Sequence, residues 1–157
     1  MSHVLLLLSP RYPFSRSLAR AIELARKNNA SLVAVAVIPD SQVAALATTL
    51  SDVGFVGEKL SGDVVDHVRA ELEGLAKEQL RSVHQQATAA GIPVVTHVVA
   101  AELFEAAEQM ISRYAVQTVV VAIPARPWFE KLWGRGRTLD WVEELGCPVE
   151  TVEEERS

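Results

Sequence analysis

Short apolar runs alternate along this chain with segments in which apolar positions recur at helical spacing. The runs predict β-strands, because uninterrupted stretches of aliphatic and β-branched side chains are typical of strands that are buried on both faces. Five strands are predicted, at His3–Leu8, Ser31–Ile38, Val94–Val99, Thr118–Ile123 and Val149–Val152.

The segments between the strands predict helices. Leu18, Ala21, Ile22 and Ala25 recur at i, i+3, i+4 and i+7, as on one face of a helix. Gly91 is a natural stop for the longest helix, since glycine readily takes the backbone conformation that ends a helix. The predicted helices are Ser15–Asn28, Asp63–Ala90, Glu102–Tyr114 and Thr138–Leu145, with a further short helix possible at Val43–Leu50 inside the non-periodic stretch Pro39–Gly62.

This alternation predicts βαβ units and a parallel sheet. Polar pairs, Thr96-His97 and Glu150-Thr151, interrupt strands three and five and place them at the edges. Right-handed crossovers then give the strand order 3-2-1-4-5. We therefore predict a single domain over residues 1–157: an α/β three-layer sandwich with a five-stranded parallel sheet. In this order a ligand crevice opens between strands one and four, with Ser9–Phe14 and Pro124–Thr138 as its lips.

Composition narrows the class of protein. The chain has 157 residues, 49% of them hydrophobic, and a formal net charge of −5, which fits one globular domain and disfavours binding to nucleic acid or anionic membrane. Cys147 is the only cysteine, so an internal disulfide is excluded and a reducing compartment is expected. The apolar run Val4–Leu8 is too short for a signal peptide or membrane span. We expect a cytoplasmic protein.

The order of segments resembles the universal stress protein family over nearly the whole length. The segments that carry the resemblance are VLLLLSP, SRSLARAIELA, SLVAVAVIPD, AAGIPVVTHVV, FEAAEQMISRYAVQTVVVAIP and GCPVETV. The resemblance implies a Rossmann-like fold of the adenine nucleotide alpha hydrolase type, a homodimer and a role in bacterial stress physiology. Some members of that family bind ATP and others do not.

Both local motifs of the ATP-binding members are altered here. Their adenine-reading aspartate after strand one corresponds to Ser9, which Pro10 follows. Their glycine-rich loop after strand four has alanine at its first two glycine positions, Ala122 and Ala125, with Pro124 between them. Prolines remove backbone donors, and a Cβ hinders close approach of phosphate. We therefore expect no cofactor, and ATP binding in the family's manner is not expected.

A basic lip follows strand four and supports an alternative, in which a remodelled crevice binds an organic anion or a nucleotide. Arg126, Arg135 and Arg137 lie there, with Arg11 on the facing lip; the simpler interpretation is a solvated loop. The residues that would form such a site are Ser9, Pro10, Arg11, Ile38, Ala122, Pro124, Arg126, Gly134, Gly136, Arg137 and Thr138.

Aromatic residues are concentrated in the same lip. Trp128, Phe129 and Trp133 have a spacing that one helical turn would present on one side. They are interpreted as a plug in the crevice, with an apolar ligand pocket or an anchor for a protein partner as the alternatives.

Enzymatic chemistry is not expected. No base faces Ser9, the histidines are interpreted as separate surface residues, and no metal-ligand spacing is present. Weak ATP hydrolysis stays open only because backbone donors near Gly134–Thr138 could hold a phosphate. Cys147 is interpreted as a small packed residue.

Assembly is expected at the last strand, which builds the dimer in the resembling family. Val149, Thr151 and Val152 are the predicted dimer-edge residues, although the acidic run Glu153–Glu155 puts the usual geometry in doubt. The sequence thus predicts a universal stress protein-like module that acts through dimerisation and partner contacts rather than through ATP.

Overall fold

The computed structural model describes residues 2–52, 62–124 and 145–154. Within these ranges the alternation of strands and helices follows the predicted order. The elements are β1 (His3–Leu8), α1 (Ser15–Lys27), β2 (Ser31–Val37), α2 (Asp40–Asp52), α3 (Gly62–Ala89), β3 (Val94–Val99), α4 (Leu103–Arg113), β4 (Val116–Pro124) and β5 (Val149–Glu154).

The five strands form one sheet in the order β3-β2-β1-β4-β5, and every neighbouring pair is parallel. The predicted α/β class and strand order are therefore confirmed. β1 lies in the centre, with Leu5 opposite Val33 of β2 and Val119 of β4. The strand order reverses between β1 and β4, since β1 is followed by β2 on one side and β4 by β5 on the other; the carboxyl ends at such a point are where open α/β folds place their ligands.

Both faces of the central strands are buried, as their unbroken apolar runs require. Alternate residues of β1 enter different cores: Leu6 packs on the side covered by α1 and α3, and Leu7 packs on the side covered by α4. The helices cover these faces with the apolar stripes seen in the sequence, for example Leu18 and Ala21 of α1. The layers are thus helix, sheet and helix.

Three elements are longer than predicted, while α1, β2 and α4 are shorter by one or two residues. α2 runs from Asp40 to Asp52, well beyond the predicted Val43–Leu50; it forms because Val43 and Ala47, one turn apart, enter the core. β4 and β5 are also longer than predicted, and β5 continues through Glu153 and Glu154. Acidic residues are poor strand formers, so only the ladder with β4, in which Glu154 lies opposite Pro124, accounts for that extension.

The stop of the long helix is as predicted. Gly91 has a φ of +76°, and the Ile92 N–H donates to the Ala87 carbonyl at 2.9 Å. The left-handed glycine turns the chain away from the helix axis and leads it into β3. The predicted helix Thr138–Leu145 lies almost wholly outside the described residues.

Candidate functional site

The crevice at the carboxyl ends of β1 and β4 is the candidate site, and its first lip is the loop from Ser9 to Phe14. Ser9 is half-buried at the end of β1, Pro10 is buried and Arg11 is exposed. The loop closes on itself through the Tyr12 N–H, which donates to the Ser9 carbonyl at 3.2 Å. Ser9 and Arg11 therefore lie in the loop that follows the carboxyl end of β1.

Gln79 of α3 holds this loop from below. Its amide Nε2 donates to the carbonyl of Ser9 at 2.9 Å and to the carbonyl of Tyr12 at 3.1 Å. The side chain is only 8% exposed, and its Oε1 is buried without a hydrogen-bond partner among the described residues. A buried amide that satisfies two loop carbonyls fixes the loop relative to the sheet, because leaving them unpaired would be costly.

Glu154, at the end of β5, closes the amino end of α1. Its carboxylate accepts hydrogen bonds from the Ser17 N–H at 2.6 Å, the Ser17 Oγ–H at 2.6 Å and the Arg16 N–H at 3.1 Å. Glu154 is 2% exposed and Ser17 is fully buried. The residue that precedes the helix, Phe14, has no side-chain acceptor and makes no cap. A carboxylate from the edge of the sheet thus supplies the cap that the local sequence lacks.

This cap matters for ligand binding because of where it lies. The amino end of a helix that follows a strand in an α/β fold presents free N–H groups and a positive dipole end, and so binds phosphates and other anions. In this protein the chain's own carboxylate takes two of those N–H groups, those of Arg16 and Ser17. An added anion would have to displace a buried, triply hydrogen-bonded Glu154. The anion position at the amino end of α1 is therefore taken by Glu154 and not open to a ligand.

The remaining lip residues divide between described and undescribed parts of the chain. Ile38, just after β2, and Ala122, in β4, are both buried, and Pro124 is the last residue of β4. The structure therefore brings strands β1 and β4 together at the crevice as predicted. The other predicted lip and plug residues lie outside the described residues: Arg126, Trp128, Phe129, Trp133, Gly134, Gly136, Arg137 and Thr138.

β5 is an edge strand, as predicted. Val149 packs toward the α4 side of the sheet and Val152 toward the α1 side, while Thr151 is exposed. Glu150 forms an ion pair with Arg20 of α1, with Nε to Oε1 at 2.7 Å. The strand is therefore tied to α1 by Glu150 and Glu154, and its outer edge pairs with no other strand in the described residues.

Two histidines, His3 and His97, are not the separate surface residues that the sequence suggested. His97 of β3 shares a hydrogen bond with the Tyr114 hydroxyl, 2.8 Å from its Nε2, and His3 stacks at a tilt on the same tyrosine ring. Burial, with the nearby Arg113 charge as a smaller cause, lowers the pKa of His97. Burial likewise raises the pKa of the Cys147 thiol, which fits a packed residue better than a reactive one.

Metal and membrane features are lacking within the described ranges. No group of three or more histidine, cysteine, aspartate or glutamate side chains there is arranged to hold a metal ion. Likewise, no helix of that part of the chain has the length and apolar character needed to span a membrane.

Two residues of the site were missed by the sequence patterns, and each leaves a weak signal. Gln79 occupies a position of α3 in line with the apolar series Leu72, Ala76 and Val83, so it is a polar residue in a buried stripe. Glu154 follows Val152 at strand periodicity, which puts it on the α1 face once β5 is extended. Neither signal identifies a hydrogen-bond partner.

Comparison with known proteins gives the fold a context. No family model matches the chain, and no curated protein matches its sequence. Solved structures do match: UspA of Lactobacillus plantarum has a TM-score of 0.64 at 17% identity, covering 96% of this chain and 97% of that one. A universal stress protein family member from Burkholderia pseudomallei has a TM-score of 0.60 at 18% identity, covering 96% and 94%.

A third structure, of a universal stress protein in complex with cAMP, has a TM-score of 0.60 at 14% identity and covers 97% of this chain and 96% of its own. These neighbours are universal stress proteins, so the resemblance inferred from the sequence is confirmed at the level of the fold. The Rossmann-like α/β architecture is shared along nearly the full length of each chain.

Proposed function

We propose that this chain is a universal stress protein-type module that does not bind ATP and acts through dimerisation and contacts with partner proteins. The observation that carries the proposal is the Glu154 cap. A carboxylate that is 2% exposed and accepts three hydrogen bonds at the amino end of α1 competes with a phosphate that approaches this helix end for the same donors.

Two sequence features support the same conclusion independently of Glu154. Ser9 stands where the ATP-binding members of the resembling family carry an adenine-reading aspartate. Pro124 ends β4 where their glycine loop begins, and proline offers no N–H to a phosphate. With the adenine contact and the start of the phosphate loop both altered in the sequence, two contacts that the ATP-binding members make are lacking.

Dimerisation is proposed through β5. The strand lies at the edge of the sheet and has an outer row of backbone groups that no described strand pairs with, and such edges are prone to pair with another chain. Val149, Thr151 and Val152 are its contact residues in this proposal. We further propose that the module works in the cytoplasm of a bacterium under stress and is not an enzyme.

A second candidate function is a binder of a small ligand in the remodelled crevice. It is favoured by Gln79, whose Oε1 is a buried acceptor without a partner among the described residues, next to the loop that carries Arg11. Buried acceptors are normally satisfied, so a donor group of a ligand is one way to complete this one. One structural neighbour was solved in complex with cAMP, which makes a cyclic nucleotide a sensible first probe.

Thermal unfolding with added ligands tests both candidates. A ligand at about 100 times its dissociation constant adds about 2.7 kcal/mol of stability, which raises the midpoint of a chain of this size by roughly 5–10 °C. The first candidate predicts no shift with Mg-ATP or cAMP. A shift with cAMP that Arg11→Ala abolishes would favour the second candidate, and a shift with Mg-ATP would refute the first.

A further inference from the structure

The other edge of the sheet, at β3, carries an open groove that the crevice does not use. The groove lies between α3 and β3 and has a volume of about 470 Å³. Its walls include Lys77, Leu80, Arg81 and His84 from α3, and Thr96 and Val98 from β3. Among the described residues that line it, none is acidic.

The two cations of the groove form no ion pair among the described residues. Lys77 and Arg81 lie one turn apart on α3 and are exposed, and neither forms an ion pair with any described residue. In a chain with a formal net charge of −5, a groove lined by basic and neutral side chains alone is a local exception. Its charge is complementary to an acidic ligand.

The edge of β3 beside the groove offers backbone hydrogen-bonding groups. The Leu32 N–H donates to the Pro93 carbonyl and the Ile38 N–H to the Val99 carbonyl, both at 2.9 Å. In a strand the N–H and C=O of one residue point to the same side, and successive residues alternate. The odd-numbered residues of β3 therefore face β2, and the N–H and C=O groups of Thr96 and Val98 point outward, along an edge that no described strand pairs with.

Apolar contact area flanks the same edge. Val95 and Val98 are 42% and 40% exposed, on opposite faces of β3. Two exposed valines beside a row of free backbone groups suit an added strand, whose alternate side chains would pack on each face.

We propose that the β3 edge binds an extended acidic peptide segment of a partner protein, which adds a sixth strand to the sheet and places carboxylates on Lys77 and Arg81. A second copy of this chain fits less well. Pairing β3 with β3 would bring two basic grooves side by side, and like charges across an interface are unfavourable. The inference rests on the proposed function in that it names a surface for the partner contacts.

The test is fluorescence anisotropy with a labelled peptide of alternating valine and glutamate. The full chain is expected to bind this peptide, and the affinity is expected to fall as salt is added. It is not expected to bind the peptide in which lysine replaces glutamate. Arg81→Glu is expected to weaken binding about tenfold or more, since 1.4 kcal/mol is tenfold and like charges cost at least that. Lys27→Glu, the same charge change on an exposed residue of α1, is the matched control and is expected to have little effect.

The backbone part of the proposal has its own pair of variants. Thr96→Pro removes an outward N–H without removing a bond to β2, and proline is tolerated at edges of this kind. It is expected to reduce binding by about tenfold or more, whereas Thr96→Ala, which keeps the N–H, is not. If Thr96→Pro keeps the thermal midpoint of wild type, a loss of the anisotropy signal reflects lost binding and not unfolding. If the midpoint falls, the proposal is tested by Arg81→Glu alone.

Two results would overturn the inference. If the acidic peptide does not bind, the cations only shield a free edge from aggregation. If sedimentation instead shows that Thr96→Pro splits a dimer of the chain, the occupant is a second copy. Neither result bears on ATP, whereas a melting shift with Mg-ATP would refute the proposed function and leave this surface untouched.

Discussion

Replacing Glu154 removes the cap of α1 and is the sharpest perturbation that the structure offers. In Glu154→Ala the N–H and hydroxyl of Ser17 lose their acceptor while Ser17 stays fully buried. The Arg16 N–H loses its acceptor too, but Arg16 is exposed and water can replace it. The variant therefore leaves two buried donors without partners.

The expected cost follows from those two donors. Each unsatisfied buried group costs about 1–3 kcal/mol, and loss of a negative charge at a helix amino end adds up to about 1 kcal/mol. Against this, the variant no longer has to bury a carboxylate, which recovers part of the loss. We expect Glu154→Ala to lower the free energy of unfolding by about 3 kcal/mol, or roughly 6–12 °C in the midpoint.

The assay is urea unfolding of Glu154→Ala beside Glu153→Ala. Glu153 is the neighbouring exposed glutamate, so it gives the same change of charge and side chain without the cap, and is expected to stay within about 0.5 kcal/mol of wild type. Glu154→Gln should fall between them, since hydrogen bonds to a charged acceptor are about twice as strong as neutral ones. Equal free energies of unfolding for Glu153→Ala and Glu154→Ala would show that the Glu154 cap does not stabilise the fold.

The same variant tests whether Glu154 occupies an anion position. With the carboxylate gone, the donors of Arg16 and Ser17 become available to an added anion. Inorganic phosphate is expected to raise the midpoint of Glu154→Ala more than sodium chloride of equal ionic strength does, and to have no such effect on wild type. A wild-type response equal to that of the variant would show that the anion position is elsewhere.

Three further predictions concern the loop, the core and pH. Gln79→Ala leaves the carbonyls of Ser9 and Tyr12 without their donor, so it should lower the free energy of unfolding by about 1–3 kcal/mol and speed proteolysis of the loop. Gln85→Ala, on the exposed side of α3, should do neither. Equal proteolysis rates in the two variants would argue against the role of Gln79. Leu6→Ala, at a fully buried site, should lower the free energy of unfolding in urea by about 2–5 kcal/mol. Leu75→Ala, at a site 43% exposed, should lower it by well under half of that. Similar losses in the two variants would contradict the assigned core. The pKa of His97 is lowered in the folded state, so the unfolded state binds more protons below about pH 6.5, and stability is kept above that pH and falls as the pH drops through it. In thermal unfolding between pH 7 and pH 5, the midpoint of His97→Gln should therefore fall less than that of wild type. Parallel curves for the two proteins would refute this prediction.

The order of the sheet was predictable because burial on both faces leaves a strong trace in the sequence. β1 and β2 read as unbroken apolar runs, and both are buried throughout apart from the first residue of β1. Polar interruptions at Thr96-His97 and Glu150-Thr151 correctly indicated the two edges. Right-handed crossovers then leave few arrangements, so the position of the crevice followed from the strands alone.

The Glu154 cap was not predictable because it depends on a contact between residues 137 positions apart in the chain. The sequence shows only that Phe14 cannot cap α1 and that acidic residues follow Val152. Which distant group completes a helix end is decided by tertiary packing, and strand β5 reaches Glu154 only through its pairing with β4. Gln79 was missed for the same reason, since its partners are backbone carbonyls of a loop.

A measurement of nucleotide binding tests the claim that this chain does not bind ATP. Protein purified without added nucleotide is denatured and the supernatant is analysed by anion-exchange chromatography, and the native protein is titrated with Mg-ATP in a calorimeter. We predict no released adenine nucleotide and no heat beyond dilution. Stoichiometric release of nucleotide, or a saturating heat with Mg-ATP, would contradict it and show that the crevice accepts ATP despite the buried carboxylate of Glu154.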